Sequence, residues 1–161
     1  MAIIYISLGS NINREYNVRQ GIQALSQKFG DLTLSSLFES KAVGFNGAAF
    51  YNMVIAVKTK ENVEQVAAIL REIEFTYGRS VNAKKFSPRS LDLDLLLFDD
   101  LIIEKPAQLP RAEITTNAFV LWPLSQIAPT LKHPILQQSY SDLWQDYDKK
   151  IQQLTIIDNC W

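Results

Sequence analysis

Two aspartates separated by one residue, Asp92 and Asp94, stand in a run that reads Phe-Ser-Pro-Arg-Ser-Leu-Asp-Leu-Asp-Leu-Leu-Leu-Phe from 86 to 98. Its apolar part has the character of a β-strand, in which alternate side chains share a face. The two carboxylates then project together, about 6.6 to 6.8 Å apart along the strand. Leu91, Leu93, Leu95 and Leu97 take the opposite face in this reading. Two ionised carboxylates at the mouth of a buried strand are costly unless positive charge compensates them. Mg²⁺ suits the position, because it favours one or two carboxylates together with substrate phosphates. Arg89, three residues before Asp92, is placed for a phosphate oxygen. A plain strand with solvated aspartates at its end is the competing reading of the Asp-x-Asp pair by itself.

The residues around this strand sharpen the choice. Segment 78–89, Gly-Arg-Ser-Val-Asn-Ala-Lys-Lys-Phe-Ser-Pro-Arg, carries Arg79, Lys84, Lys85 and Arg89, with Phe86 among them. Cations delivered beside two carboxylates suit a Mg²⁺–polyphosphate site, where transfer depends on positioning and charge stabilisation. A solvated basic loop is the alternative. Residues 80–87 have little apolar content and are expected to order over bound ligands. Neither a Walker-type loop nor a protein-kinase motif is present. Glu74 precedes this loop and Arg71 lies one turn earlier, so an exposed i,i+3 ion pair competes with a role in the site. Asn52, after Phe50-Tyr51, is either a turn residue or an amide that reads the edge of a heterocycle. Phe119 is a core residue or a stacking platform. His133, in a Lys-His-Pro loop, reads as an exposed surface histidine. No Cys/His cluster suggests zinc, and no Ser-His pair suggests a hydrolase.

These residues need a frame to position them. The chain has 161 residues, 47% of them hydrophobic, which is one domain with ample material for a core. A net charge of −1 argues against nucleic acid or an anionic membrane as partner. No signal-like or membrane-length apolar run occurs, and the single cysteine, Cys160, excludes an internal disulfide. The expectation is a soluble, cytoplasmic protein. Periodicity predicts strands at 2–8, 32–39, 50–59 and 91–98, a short one near 101–103, and helices at about 14–29 and 62–77. Helical turns are expected near 120–126 and 140–146, with a final strand near 153–158. The first helix carries a stripe of Val18, Ile22, Leu25 and Phe29 and stops at Gly30. The second opens on a capping box, Asn62 with Gln65, and its stripe is Val63, Val66, Leu70, Ile73 and Tyr77. The order is that of an α+β, ferredoxin-like βαββαβ core with a mostly antiparallel sheet. The added C-terminal segment would cover the other side, in a three-layer αβα arrangement.

Together these residues resemble the 6-hydroxymethyl-7,8-dihydropterin pyrophosphokinase family of folate biosynthesis. The resemblance runs from Tyr-Ile-Ser-Leu-Gly-Ser-Asn at 5–11 to Ala-Phe-Val-Leu-Trp-Pro-Leu-Ser-Gln-Ile-Ala-Pro at 118–129. Its most specific part is Pro-Arg-Ser-Leu-Asp-Leu-Asp-Leu-Leu-Leu-Phe at 88–98, supported by Asn-Met-Val at 52–54 and Tyr-Gly-Arg at 77–79. It implies a monomer that moves the β,γ-diphosphate of ATP onto the pterin's hydroxymethyl group. Asp92 and Asp94 would hold two Mg²⁺ ions on the ATP phosphates, with Arg79, Arg89 and Asp94 as the catalytic set. The pterin would lie between Phe119 and Phe50, read by Asn52 and groups around Ser40, Ala42 and Val43. Phe86 would close over it, at a loop position where the family commonly carries tryptophan. Arg71, Glu74, Lys85, Leu95 and Arg111 would join Arg79 and Arg89 around ATP. Two positions depart from the pattern. Arg111 replaces a usual histidine after Pro110, and Asn117 replaces a usual phosphate-contacting arginine. The alternative to a working enzyme is a pterin- and ATP-binding paralogue weakened by the second change.

Overall fold

The computed structural model describes residues 1–40, 49–77 and 90–161. The chain forms β1 (Ala2–Ser10), α1 (Arg14–Phe29), β2 (Leu32–Leu34), β3 (Leu37–Ser40), β4 (Phe50–Thr59) and α2 (Val63–Thr76). It continues through β5 (Asp92–Phe98), a 3-10 turn (Ala112–Thr115), α3 (Ala118–Ile127), α4 (Tyr140–Asp146) and β6 (Thr155–Ile157). The sheet runs in the order β5-β1-β4-β3-β6, with β2 also on β4, and each of these pairings is antiparallel.

Local chemistry sets the element ends. Gly30 closes α1 at φ 91°, a conformation that disfavours a side chain, and its N–H donates to Ser26 O at 2.8 Å. The capping box of α2 forms as the sequence predicts. Gln65 N–H donates to Asn62 Oδ1 and Asn62 N–H to Gln65 Oε1, each at 2.8 Å. The expected strand 32–39 is broken at Ser35 and Ser36. The Ser35 hydroxyl accepts the Val54 N–H at 2.9 Å, replacing a backbone acceptor and interrupting the ladder. The strand expected near 101–103 reduces to one bridge, Ile103 to Leu109.

Each face of the sheet carries its own core. Ile4, Ile6, Leu8, Met53, Ile55, Leu93 and Leu95 meet Val18 and Leu25 of α1 and Val66, Leu70 and Ile73 of α2. On the other face, Val54, Leu96 and Leu97 meet Val120, Leu121 and Leu124 of α3 and Tyr140 of α4. Leu97 therefore does not share a face with Leu91, Leu93 and Leu95 as the alternation predicts. Tyr5 pairs with Leu97 and Ile6 with Leu95, so Leu96 is an extra residue that shifts the phase of β5.

Beside the second core, one expectation is overturned. His133 is buried, at 6% exposure, rather than on the surface. Its Nδ1 accepts the N–H groups of Ile135 and Leu136 at 3.2 and 3.1 Å, and its ring meets Tyr140 edge-on at 6.2 Å. Burial lowers its pKa below the usual histidine value. Protonation would remove the Nδ1 acceptor, so the neutral form stabilises the fold. Stability is then full above about pH 6.5 and falls as pH drops from there through the lowered folded-state value. Asparagine can accept the same two N–H groups without titrating. Melts at pH 7.5 and 5.5 should show a smaller acid loss in His133→Asn than in the parent, and equal losses would count against this role.

Among the described residues, the hydroxyl of fully buried Tyr140 has no hydrogen-bond partner, and burial beside Tyr5 pushes its pKa up. An unpaired buried hydroxyl costs roughly 1 to 3 kcal/mol. Tyr140→Phe should therefore raise the melting temperature by about 2 to 4 °C or more. A lower melting point would show that the hydroxyl is satisfied in solution.

Candidate active site

The two aspartates share a face of β5, and sheet register extends that face into a site. Cross-strand partners lie on the same side of a sheet. Asp92 on β5 is opposite Gly9 on β1, Gly9 opposite Asn52 on β4, and Asn52 opposite Phe38 on β3. The next row is Asp94, Ser7 and Val54. Val54 belongs to the core under α3, so both rows face α3 rather than α1 and α2. Asp92 and Asn52 stand two strand spacings apart, about 9 to 10 Å. Gly9 lies between them with no side chain. A Cβ placed there would come within 3.1 Å of Asn52 Oδ1. The strip between carboxylate and amide is therefore floored by backbone.

Asn52 is mid-sheet and 7% exposed, which settles the choice against a turn residue. Its Nδ2 donates to Ser40 Oγ at 2.8 Å, which fixes the amide so that Oδ1 faces Gly9. Ser40 pairs with Phe50, placing Phe50 on the same face at the same end. Phe119, half-buried in the first turn of α3, packs against the second core. Arg14 braces this end, a contact that sequence reading missed. Its Nη1 meets Glu39 Oε2 and Ala49 O at 2.9 Å, and its guanidinium stacks over Tyr51 at 4.0 Å.

Arg111 lies at the aspartate end of the same face. Its backbone N–H donates to Leu96 O at 3.0 Å, which fastens it to β5. Its Nη2 stands 3.4 Å from Asp94 Oδ1 and its Nε 3.1 Å from Glu113 Oε2. Asn117 points elsewhere in its bonding. Its Oδ1 accepts from Gln152 Nε2 at 3.1 Å, while Gln152 Oε1 accepts the Ala118 N–H at 2.8 Å. Glu74 faces inward at 5% exposure and accepts the Leu93 N–H at 2.8 Å, so it is not half of a solvent-facing pair with exposed Arg71. Leu95 buries its side chain in the first core. Ala42, Val43, Arg79, Lys84, Lys85, Phe86 and Arg89, and the expected closing segment 80–87, lie outside the described residues.

Among the described residues, no group of three or more His, Cys, Asp or Glu side chains converges as a metal cage. A cation at Asp92 and Asp94 would draw the rest of its shell from phosphate and water oxygens. That donor set suits Mg²⁺. The face thus carries carboxylates at one end, the Asn52 amide at the other, and the backbone of Gly9 between.

A family model described as 7,8-dihydro-6-hydroxymethylpterin-pyrophosphokinase (HPPK) matches residues 5–129. A 2-amino-4-hydroxy-6-hydroxymethyldihydropteridine pyrophosphokinase from Aquifex aeolicus is 32% identical over 141 residues, covering 86% of this chain and 88% of that protein. The protein of the same name from Bacillus subtilis is 36% identical over 130 residues, covering 78% and 77%. Among solved structures, a Plasmodium falciparum HPPK-DHPS crystallised with pteroate superposes with a TM-score of 0.76 at 15% identity. It is matched over 93% of this chain and 43% of its own, so this chain spans less than half of that longer protein. The fold is the same. With the family model covering most of its length and full-length relatives at this identity, the chain belongs to the 7,8-dihydro-6-hydroxymethylpterin-pyrophosphokinase family.

Proposed function

We propose that this protein transfers the β,γ-diphosphate of ATP to the hydroxymethyl group of 6-hydroxymethyl-7,8-dihydropterin, a step of folate biosynthesis. The observation that carries this reading is the row Asp92, Gly9, Asn52, which sets metal-binding and heterocycle-reading groups on one face. The pterin's primary hydroxyl oxygen bonds to the β-phosphorus and the bond from that phosphorus to the α-phosphate oxygen breaks. AMP leaves with the bond pair, and the hydroxyl proton passes to water. Two Mg²⁺ ions, when bound, neutralise phosphate charge and hold the reacting groups in line.

The chain's own residues bind and orient. Asp92 and Asp94 hold the metal, and Asn52, locked by Ser40, reads the pterin edge. Phe50 and Phe119 flank its ring, with Phe86, Ala42 and Val43 completing the pocket. Arg79, Lys85, Arg89 and Arg111 gather the phosphates, with Arg71 and Glu74 on the ATP side. The side chain of Leu95 is buried, so Leu95 meets ATP through backbone groups at the outer edge of β5. Positioning carries much of the rate. The fold reading is a ferredoxin-like plan with α3 and α4 as a third layer, supported by the strand order and the core on each face. Every group in this reading comes from one chain, which fits a monomer, and ATP is supplied in the cytoplasm. Incubation with ATP, Mg²⁺ and the hydroxymethyl pterin should yield AMP only when pterin is present. Pterin binding without AMP would reduce the protein to a binding paralogue, and no binding would overturn the reading.

A further inference from the structure

Glu74 lies on the apolar stripe of α2, four residues after Leu70 and three before Tyr77, where a carboxylate is least expected. A buried carboxylate is tolerated when it is hydrogen-bonded, and one of its bonds is specific. Its Oε2 accepts the backbone N–H of Leu93 at 2.8 Å. Leu93 is the residue between Asp92 and Asp94. β5 ends the strand order, with β1 as its only neighbour among the described strands. An N–H turned away from β1 has no strand there to receive it, and a buried N–H needs an acceptor. An ionised carboxylate is the stronger kind of acceptor.

We propose that Glu74 is a positioning residue for the aspartate pair. From α2, its carboxylate holds the backbone between Asp92 and Asp94 and so sets the rotation of the strand that carries both. The proposal rests on the pyrophosphokinase reading, and it gives Glu74 a task separate from nucleotide contact. Metal-binding carboxylates must be held close to their productive geometry, and the groups that orient them affect affinity nearly as much as the ligands do. On an edge strand, only one flank is held by a neighbouring ladder. Glu74 secures the other.

Two variants and two readouts test this. Glu74→Met keeps volume and helix propensity but removes the acceptor, whereas Glu74→Gln keeps an acceptor oxygen at the same reach. Amide exchange of Leu93 is followed by NMR in the free protein. Mn²⁺ binding is followed by electron paramagnetic resonance with a non-hydrolysable ATP analogue. In Glu74→Met, Leu93 exchange should rise and Mn²⁺ affinity fall, each by about tenfold, the scale of one charge-assisted bond or one outer-shell partner. Glu74→Gln should restore affinity to within about threefold of the parent while Leu93 exchange rises a few-fold, since a neutral acceptor is weaker. If Glu74→Met does not fold, the glutamine variant decides, and unchanged Leu93 exchange in it overturns the proposal. A parent that binds Mn²⁺ with nucleotide while Glu74→Met binds equally well overturns the positioning role alone. A parent that binds no Mn²⁺ with nucleotide overturns the pyrophosphokinase reading and the positioning role with it.

Discussion

Asp92→Ala and Asp94→Ala should each lose AMP production by about a hundredfold to a thousandfold, the scale of removing a principal electrostatic stabiliser, while remaining folded. The two carboxylates share one face of β5 and have the cation-binding chemistry already described. Neither is buried deeply enough to hold the core together, since the leucines between and beside them do that. Asp94→Ala also gives up the contact to Arg111, but both partners are about a third exposed, 30% and 33%. Such a pair contributes about 0 to 1 kcal/mol. Removing one of two neighbouring negative charges offsets part of even that. Melting temperatures should therefore stay within about 4 °C of the parent. A coupled assay for AMP and a thermal melt on each variant are sufficient. Near-parental AMP formation in either would refute the two-metal assignment.

The second large effect is expected at Arg111. It stands where the resemblance implies histidine, and its guanidinium, about a third exposed, reaches Asp94 and Glu113. In the free protein it offsets carboxylate charge. In the function proposed above, a metal held by Asp92 and Asp94 would offset that charge instead and leave the guanidinium free for a phosphate oxygen. A charge-assisted bond to phosphate contributes roughly 1.5 to 3 kcal/mol, about one to two powers of ten. Arg111→Ala should lower kcat/KM for ATP by about that factor. Asn117→Arg should raise turnover in the parent and recover part of the loss in the Arg111→Ala background. It must first release Gln152 Nε2, a neutral hydrogen bond whose loss costs about 1 kcal/mol of stability. If ATP kinetics are unaltered in Arg111→Ala, the compensation between the two positions is wrong.

Much of this was legible in the sequence where a short period decides the outcome. The capping box at Asn62 and Gln65 and the shared face of Asp92 and Asp94 follow from spacing alone, because their partners lie within a few residues. What could not be read depends on partners far along the chain. Leu97 changes face because β5 carries an extra residue against β1, a matter of register between two strands. Asn52 gains its meaning from Gly9 directly opposite. His133 looked exposed because its loop is polar, yet it is buried against Tyr140, and a local pattern cannot show that packing. Glu74 had a usable signal, since it falls on the stripe of Leu70 and Tyr77. An i,i+3 pair with Arg71 was the competing reading of the same spacing.

The backbone floor at Gly9 bears on how this protein could become drug-resistant. Resistance commonly arises by exchanging a side chain that touches the inhibitor but matters less to the substrate. At Gly9 there is no side chain to exchange, and the smallest addition, one methyl, would crowd Asn52 Oδ1. With the pterin read by Asn52 as proposed above, any substitution there would narrow the strip for the pterin as much as for its mimic. On that reading, an antifolate that draws its affinity from lying flat on this strip would press on a surface the protein cannot alter without giving up its own substrate.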